Sequence, residues 1–310
     1  MNCCPERRIL ALASAICAVT LTLGAQPVEP HVAAGSSHGV LLKADGSVWN
    51  WGVFVGEQEP APVEGIDGVV AIAAGDSFTL AARRDGTVWG WGHNEYGDLG
   101  HSAPGDTERP ARIAGIDSVV ALVVNGQRAL ALRSDGSVWE WGRLPIGKDT
   151  AVPHAVERLS EVSAIAAGER HSVALRRDGT VRVWGYHGAG DLGNGNFGLA
   201  GLPLPVPGLA GIVAVAAGQD FTLALQRDAT VWALGYGAAG QMGNGALENA
   251  NRPVQVVGLA EVKALAAGSM HALALKLDGR CGAGDRITRD SSAIRGSVPT
   301  IRASPCGRAR

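Results

Sequence analysis

The sequence predicts an all-β protein in which short antiparallel sheets repeat along the chain. Six times, a short apolar segment ends in Gly or Asn, and ten residues later an Asp begins a turn into a new strand. Copies follow one another at intervals of 40 to 50 residues, which is typical of propellers and solenoids. The segments end at Gly35, Gly75, Asn125, Gly168, Gly218 and Gly268, and the turns begin at Asp45, Asp85, Asp135, Asp178, Asp228 and Asp278.

The second copy illustrates the first two strands and their turn. Residues 69–75 are a run of small and β-branched residues closed by Gly, which indicates a short buried strand. Residues 78–82 form a second apolar segment that leads into Asp85 and Gly86. Asp-Gly between two apolar segments predicts a type I′ hairpin, with positive φ at both turn residues.

The third and fourth strands complete the repeat. Residues 88–91 read Val-Trp-Gly-Trp, so that Trp89 and Trp91 point to one face, where we expect them to pack between sheets. Residues 109–113 contain a Pro, which suits the start or edge of a sheet. Four short antiparallel strands per repeat predict the blades of a β-propeller.

Two recurring motifs carry a family resemblance. Ala-Ala-Gly-x-x-His recurs at His38, His171 and His271, and Asp-Gly-x-Val-Trp-x-Trp-Gly recurs at residues 45–52, 85–92 and 135–142. Over about residues 31–279, the chain resembles the regulator-of-chromosome-condensation repeat family. The resemblance implies a β-propeller, typically of seven blades. With six copies, the last of them truncated, we expect about six four-stranded blades and an incomplete ring.

Some copies depart from the motif. Asn125 replaces the strand-end Gly, and we expect it to adopt a left-handed conformation, which Asn tolerates. Ala229 replaces the turn Gly and predicts a strained, weaker hairpin.

Residues 1–25 are predicted to be a signal peptide, because Arg7 and Arg8 precede an uncharged apolar segment that ends near Ala25. The chain is therefore expected to be secreted or periplasmic, with membrane contact only through this segment if it is uncleaved. The propeller repeats are assigned to residues 26–279.

Residues 280–310 do not follow the repeat: they contain seven Arg, two acidic residues and no Trp. Codons compatible with residues 280–293 encode the missing Val-Trp-Gly-Trp-Gly when they are read in another frame. We therefore interpret residues 280–310 as a frameshifted, disordered tail.

Composition limits the partners. Residues 31–279 hold 18 Lys and Arg against 25 Asp and Glu, a net charge near −7 that disfavours nucleic acid. All five Cys lie outside these residues, so the fold is expected to use no disulfide. Two Gly-x-Gly-x-x-Gly segments, at 188–193 and 235–240, follow strands with no helical pattern beyond them, so no dinucleotide or other cofactor is expected.

Catalytic and metal sites are not predicted. The recurring His residues occupy one repeat position in separate blades, too far apart to share a metal ion. Asp98 and Asp191 also share a repeat position, but a glycosidase would need two carboxylates that converge.

The leading functional hypothesis is an exported, non-catalytic scaffold, monomeric, that binds an unidentified protein through long loops on one propeller face. The alternatives are a polysaccharide-active enzyme of the cell envelope and a non-functional truncated product. In the resembled family, the eukaryotic members are nuclear exchange factors for a small GTPase, which an export signal disfavours here. The candidate contact residues are Tyr96, His101, Arg109, Tyr186, His187, Phe197, Tyr236 and Met242.

Overall fold

The computed structural model describes residues 28–52, 56–101, 105–144, 149–188, 190, 192–195 and 198–284. Every regular element in these residues is a β-strand, and the strands form six antiparallel sheets with strands in chain order. Sheets 1 to 3 comprise β1 (His31–Ala34), β2 (His38–Leu42), β3 (Val48–Gly52), β4 (Glu57–Pro62); β5 (Val69–Ala74), β6 (Phe78–Arg83), β7 (Val88–Gly92), β8 (Thr107–Arg112); and β9 (Val119–Asn125), β10 (Arg128–Arg133), β11 (Val138–Gly142), β12 (Thr150–Ala155). Sheets 4 to 6 comprise β13 (Val162–Ala167), β14 (His171–Arg176), β15 (Val181–His187), β16 (Gly198–Pro205); β17 (Ile212–Ala217), β18 (Phe221–Gln226), β19 (Val231–Gly235), β20 (Ala250–Gln255); and β21 (Val262–Ala267), β22 (Ala272–Lys276), β23 (Cys281–Gly284). The predicted all-β fold is confirmed.

The hairpins between second and third strands differ from the predicted type. At residues 85 and 86, only Gly86 has a positive φ, +82°. Its backbone N donates to the carbonyl of Arg83 at 2.9 Å, and the N of Arg83 donates to the carbonyl of Thr87 at 2.9 Å. This is a three-residue hairpin, a type I turn followed by a left-handed Gly. The type I′ prediction was therefore wrong, because one residue more than expected separates the strands.

The strained hairpin is confirmed in sheet 5. Ala229 has φ +67°, a conformation that costs a residue with a Cβ atom more than it costs Gly. Its backbone N still donates to Gln226 at 2.9 Å, so the turn keeps the geometry of the other hairpins.

The strand-end Gly has a different role from the one expected. A Cβ atom at Gly75 would lie 2.2 Å from Cε1 of Phe78, so Gly makes room for the ring three residues later. In sheet 3, Arg128 takes the place of the ring and Asn125 takes the place of Gly. The positive φ lies at Gly126, +61°, and not at Asn125, so the prediction of a left-handed Asn was wrong.

Neighbouring sheets pack face to face in chain order. The contacts between sheets run mainly through first and second strands, which places the first strands nearest the axis and the fourth strands outermost. Between sheets 2 and 3, for example, Phe78 and Leu80 share a buried cluster with Ala129 and Trp141. The described residues form no closed ring, since sheets 6 and 1 make no substantial contact, and the expected incomplete ring is confirmed.

The two Trp positions of the third strand have different surroundings. In sheets 2 and 3, the Trp at the second position, Trp91 or Trp141, is buried and packs between neighbouring sheets. The first position is half-buried, and Arg83 lies 5.7 Å from the ring centroid of Trp89. The packing prediction thus applies fully only to the second Trp.

Sheet 6 extends beyond the predicted boundary at residue 279. Cys281 pairs with Leu275, and β23 continues the antiparallel ladder to Gly284. Residues 281–284, which were predicted to belong to a disordered tail, therefore form the third strand of this sheet. The predicted signal peptide, residues 1–25, and residues 285–310 of the predicted tail lie outside the described residues.

Because neighbouring strands run in opposite directions, their connections lie at the two opposite ends of the strands, and we call these two sides of the protein the loop face and the hairpin face. The loop face carries the turns between first and second strands and the loops between third and fourth strands. The hairpin face carries the Asp hairpins and the connections between sheets. In the part of the chain that the structure describes, no helix is long and apolar enough to span a bilayer.

Candidate functional site

The long loop of sheet 2 is organised by a buried amide. Asn94 is 3% exposed; its Oδ1 accepts a hydrogen bond from the backbone N of Leu99 at 2.9 Å. Its Nδ2 donates to the carbonyl of His101 at 3.3 Å and lies 3.2 Å from Nδ1 of that residue. His101, predicted as a contact residue, is half-buried and helps to fix the loop.

This loop rests on sheet 3. The indole N of Trp141 donates to the carbonyl of Asp98 at 2.9 Å. Gly97 has φ +80°, and a Cβ atom there would lie 2.3 Å from the Cα of Ala151, so only Gly allows the approach. The loop thereby joins two sheets and presents its outer residues on the loop face.

Two of the predicted aromatic residues lie beside Arg side chains on the loop face. The first group, the Tyr96 cluster, consists of Tyr96, Arg143 and Gln127. The guanidinium of Arg143 lies 5.2 Å from the Tyr96 ring centroid, and its Nη1 donates to Oε1 of Gln127 at 3.2 Å. Because Arg143 belongs to sheet 3, this cluster spans the boundary between two sheets.

The second group, the Tyr186 cluster, consists of Tyr186, Arg170 and Leu199 in sheet 4. The guanidinium of Arg170 lies 5.6 Å from the ring centroid, and Leu199 is the partner of Tyr186 in the strand register. Tyr186 is 37% exposed and Leu199 is 65% exposed. The cluster therefore offers an aromatic ring, a cation and an apolar side chain to solvent.

Both clusters have the chemistry of protein-binding anchors. A cation held over a Tyr ring restricts both side chains before any partner arrives, which reduces the entropy lost on binding. Tyr and Arg are also enriched among the residues that dominate interface energies.

Among the described acids of the loop face, Asp98 has the most strongly shifted pKa. It is 2% exposed, and one carboxylate oxygen accepts a hydrogen bond from the backbone N of Tyr96 at 3.4 Å. Burial raises the pKa of Asp98 to about 6. Gln241 holds the same repeat position in sheet 5, also 2% exposed, and accepts from the backbone N of Ala239 at 3.0 Å. A neutral amide thus serves as well as the acid, which indicates a structural role.

The carboxylate pair considered for an enzyme is described only in part, because Asp191, the possible partner of Asp98, lies outside the described residues. A shallow recess of about 270 Å³ on the hairpin face is lined by one carboxylate, Asp67, which is paired with Arg83 at 2.5 Å. These contacts provide no pair of converging carboxylates.

The recurring His residues are parts of sheet packing. Nε2 of His38 lies 2.9 Å from Oγ1 of Thr79, and Nε2 of His171 lies 2.9 Å from Oγ1 of Thr222. Burial, and secondarily the nearby charge of Arg128, lowers the pKa of His171 to about 3. Within the described ranges, no group of three or more His, Cys, Asp or Glu could hold a metal ion.

The other predicted contact residues are distributed less favourably. Arg109 is exposed, but it lies on the outermost strand β8, and Tyr236 is half-buried. Phe197 lies outside the described residues, and only the backbone of His187 is described, at the end of β15.

Met242 was wrongly predicted as a contact residue. Its side chain is fully buried, in a cluster with Phe221. Leu99 and Leu192 are buried at the same repeat position in sheets 2 and 4, one residue before a Gly. The Gly-x-Leu-Gly and Gly-x-Met-Gly register could therefore have identified Met242 as a core residue.

Arg143, Arg170 and Leu199 were missed by the sequence analysis. Arg143 directly follows the Trp-Gly of β11, the position that Tyr186 holds after β15's Trp-Gly. Comparing that position between repeats would have identified Arg143. The contacts of Arg170 and Leu199 depend on strand register, which the motifs leave open.

Comparison with known proteins agrees with this fold. A family model described as an RCC1-like domain matches residues 15–285. The structure of human WBSCR16 superposes with a TM-score of 0.70 at 23% identity, covering 79% of this chain and 71% of that one. The structure of Prp20p from Saccharomyces cerevisiae gives 0.71 at 24% identity, covering 81% and 70%. No curated protein matches significantly.

These structural likenesses, at identities below 25%, establish the fold alone. The family model covers most of the sequence and agrees with the resemblance carried by the repeated motifs. The chain therefore belongs to the RCC1-like domain family.

Proposed function

We propose that the protein is an exported, non-catalytic scaffold that binds a partner protein through its loop face. The observation that carries the proposal is the pair of Tyr and Arg clusters on this face. Their rings and guanidinium groups are ordered by each other and by the underlying sheets. Such preorganised, partly exposed anchors suit a broad protein surface better than a small ligand.

The composition of the loops also supports the loop face as the binding surface. The residue after the third-strand Trp-Gly or Leu-Gly is His93, Arg143, Tyr186 or Tyr236 in successive sheets 2 to 5. A position that only supported the sheet would be expected to keep one residue type. This variation is typical of loops that carry binding on a repeated scaffold.

Proteins of similar structure bind other proteins. One solved structure contains Kap60 bound to yeast RCC1 (Prp20). Prp20p from Saccharomyces cerevisiae was also solved in a study of its binding to Gsp1p and histones. For the present chain, these findings support a protein partner and leave its identity open. The acidic repeats disfavour nucleic acid as that partner.

Site-specific photocrosslinking in the producing organism tests the choice of face. A photoreactive residue replaces Leu199 on the loop face or Val257, which is 62% exposed in the connection between sheets 5 and 6 on the hairpin face. We expect one discrete crosslinked protein from position 199 and none from position 257. Equal crosslinking from both positions would contradict the proposal.

Once the crosslinked protein is purified, its affinity tests the clusters. Tyr186→Ala and Arg143→Ala should each weaken binding at least about tenfold, because each removes one anchor. The thermal unfolding temperature should stay within about 2 °C of the parent, since both side chains are partly exposed. Val257→Ser serves as the matched control and should leave affinity unchanged.

Export is tested separately by fractionation of a bacterium that expresses the tagged chain. We expect the protein outside the cytoplasm, with a new N terminus at Gln26 if the predicted signal is cleaved after Ala25. A cytoplasmic protein that retains Met1 would refute the export part of the proposal while leaving the binding part to the crosslinking experiment.

A further inference from the structure

The outer edge of sheet 4 differs from the outer edges of the other described sheets. Its fourth strand, β16, has eight residues, whereas β4, β8, β12 and β20 have six each. β16 also has no ionisable side chain, whereas each of the other four strands has at least one. Exposed edge strands are usually protected against pairing by charged side chains or by Pro. In β16, this protection depends on Pro alone.

The prolines protect only the half of β16 that ends at the hairpin face. Pro203 and Pro205 have no backbone N–H to donate to another strand. Residues 198–202, which lie toward the loop face, contain no Pro. This half of the edge therefore keeps its backbone donors and acceptors.

The strand register shows which backbone groups point away from the sheet. The backbone N of Tyr186 donates to the carbonyl of Arg170 at 2.8 Å, so Tyr186 directs its backbone groups toward β14. Neighbouring residues of a strand direct these groups to opposite sides, so Gly185 directs its own toward β16. Leu199 is the register partner of Tyr186, and Ala200 is the partner of Gly185. Ala200 therefore faces β15, and Leu199 directs its N–H and carbonyl outward.

Gly201 also directs its backbone groups outward, because it follows the inward-facing Ala200 in the same strand. Gly201 is exposed, and a Cβ atom there would meet no described atom within 4 Å. At the same register position in sheet 5, the carbonyl of Asn251 accepts a hydrogen bond from the backbone N of Gly195 at 2.8 Å. The loop of sheet 4 thus covers this position in sheet 5, whereas the described residues leave Gly201 uncovered.

The side chains at this end of the edge are apolar and exposed. Leu199 is 65% exposed and, as the register partner of Tyr186, lies on the same side of the sheet as the Tyr186 ring. Arg170 holds that ring in the Tyr186 cluster. A strand paired with β16 would therefore place one of its side chains against Leu199, next to the cluster.

We propose that the partner protein adds an extended segment to sheet 4 by pairing it with residues 198–202 of β16. The segment exchanges backbone hydrogen bonds with Leu199 and Gly201 and places an apolar side chain beside Leu199 and Tyr186. The backbone bonds supply affinity, and the side-chain contact supplies specificity. This inference rests on the proposed function, since it states how the partner of the loop face engages the Tyr186 cluster.

Peptide selection on the full chain tests the proposal. A phage library of random peptides of about 12 residues is selected on the parent protein, and the affinity of the recovered peptides is measured for edge variants. Gly201→Pro removes one outward N–H and should weaken binding at least about tenfold. Gly201→Ala keeps the N–H and adds a Cβ atom in open space, so it should weaken binding at most about twofold.

Gln58→Pro is the matched control for Gly201→Pro. Gln58 is exposed and holds the same register position in β4, so the same substitution changes the edge of a different sheet. We expect it to leave peptide affinity unchanged. Thermal unfolding shows whether each Pro variant is folded. Leu199→Pro, which removes the other outward N–H, replaces Gly201→Pro if that variant unfolds.

Amide hydrogen exchange, followed by NMR, gives a second readout. The amides of Leu199 and Gly201 should exchange at least about tenfold more slowly in the peptide complex, whereas that of Ala200, which faces β15, should change little. Peptides that lose affinity with Tyr186→Ala but not with Gly201→Pro would refute the strand pairing and leave the proposed function intact. A selection that yields no peptide sensitive to a Pro variant of β16 would also overturn this inference.

Discussion

The two faces of the sheets use repetition differently. On the hairpin face, five turns make the same contact, in which the Asp Oδ1 accepts hydrogen bonds from the backbone N and the hydroxyl of the Ser or Thr two residues later. On the loop face, a Gly-Gly turn also repeats, as between Gly100 and Gly97, but other contacts differ between loops. Examples are Asn94 with Leu99 in sheet 2 and Asn251 with Gly195 between sheets 5 and 4. Repeated residues therefore build the sheets, and varied residues are available for recognition.

Charge follows the same division. On the hairpin face, Arg83, Arg133 and Arg176 each pair with an acid before the first strand of their own sheet, at 2.5 to 2.7 Å. On the loop face, Arg143 and Arg170 lie against Tyr rings, and Arg170 also makes a longer ion pair with Glu169 at 3.9 Å. A partner can engage these cations without first breaking the ion pairs of the hairpin face.

The largest effect is expected in sheet 3, where buried Arg128 takes the place of the aromatic or His ring found in the other sheets. Arg128 is 2% exposed, and its Nη2 donates to the carbonyls of Gly168 and His171 at 2.7 and 2.8 Å. Arg128→Ala should lower the free energy of unfolding by about 4 kcal/mol, because it opens a cavity and leaves buried acceptors unpaired. Chemical denaturation measures the change.

A repair experiment controls for this loss. Arg128→His alone should place a ring against the side chain of Asn125, whereas Asn125→Gly with Arg128→His restores the arrangement of sheet 4. We expect the double variant to be more stable than the single His variant. The reverse order would show that Gly and ring are independent of each other.

The residue pattern was sufficient to predict the repeated parts of this structure. Strand order, the Asp hairpins as turns and the strain at Ala229 all follow from local chemistry within one repeat. The turn type was missed because Asp-Gly is compatible with both two-residue and three-residue hairpins. The role of the strand-end Gly could have been found, since Asn replaces it only where Arg replaces the ring.

The candidate site was less predictable. Tyr96 and Tyr186 were identified as loop aromatics, but their Arg neighbours depend on how one sheet or strand is placed beside the next. Met242 was mistaken for a surface residue because its loop was read by composition instead of by register. Contacts between repeats are set by the packing of whole sheets, which a single repeat does not specify.

A smaller effect on stability, which depends on pH, distinguishes the buried acid Asp98 from a buried amide on the loop face. Because burial raises the pKa of Asp98 to about 6, its favourable contribution is present below the unfolded pKa near 4 and is lost as pH rises through about 6. Asp98→Asn should therefore be about 1–2 kcal/mol more stable than the parent at pH 8 and nearly equal to it at pH 4. Thermal unfolding at both pH values measures this difference.

Gln241→Glu is the matched control for Asp98. It places an acid at the same repeat position in sheet 5, where the amide is also 2% exposed. We expect it to create a loss of stability on going from pH 4 to pH 8 that the parent lacks at this position. A variant with unchanged pH dependence would argue against burial as the cause of the raised pKa.

On the hairpin face, the sign of the pH effect is opposite. The side-chain and backbone hydrogen bonds from Ser137 hold the pKa of Asp135 below its usual value. Its contribution is therefore present above pH 4 and is lost as pH falls through the lowered pKa. Asp135→Ala should lower the unfolding temperature by about 2 °C at pH 7, with a smaller difference at pH 2.5. A difference that grows in acid would contradict this assignment.

The smallest expected effect comes from the sheet 5 hairpin, in which Ala229 replaces the Gly that the other described hairpins of the hairpin face have. Ala229→Gly removes the cost of φ +67° but adds backbone freedom to the unfolded chain, so the net gain should be only about 0.5–1 kcal/mol. Gly179→Ala, the reverse change in sheet 4, should lose at least this amount, because Gly179 has φ +79° and a Cβ atom there would lie 3.0 Å from the Cα of Gly211. Denaturant midpoints for the two variants measure both changes. If Ala229→Gly were neutral while Gly179→Ala was costly, the sheet 5 hairpin would be compensated by other contacts, and the hairpin face would be less uniform than its hydrogen bonds indicate.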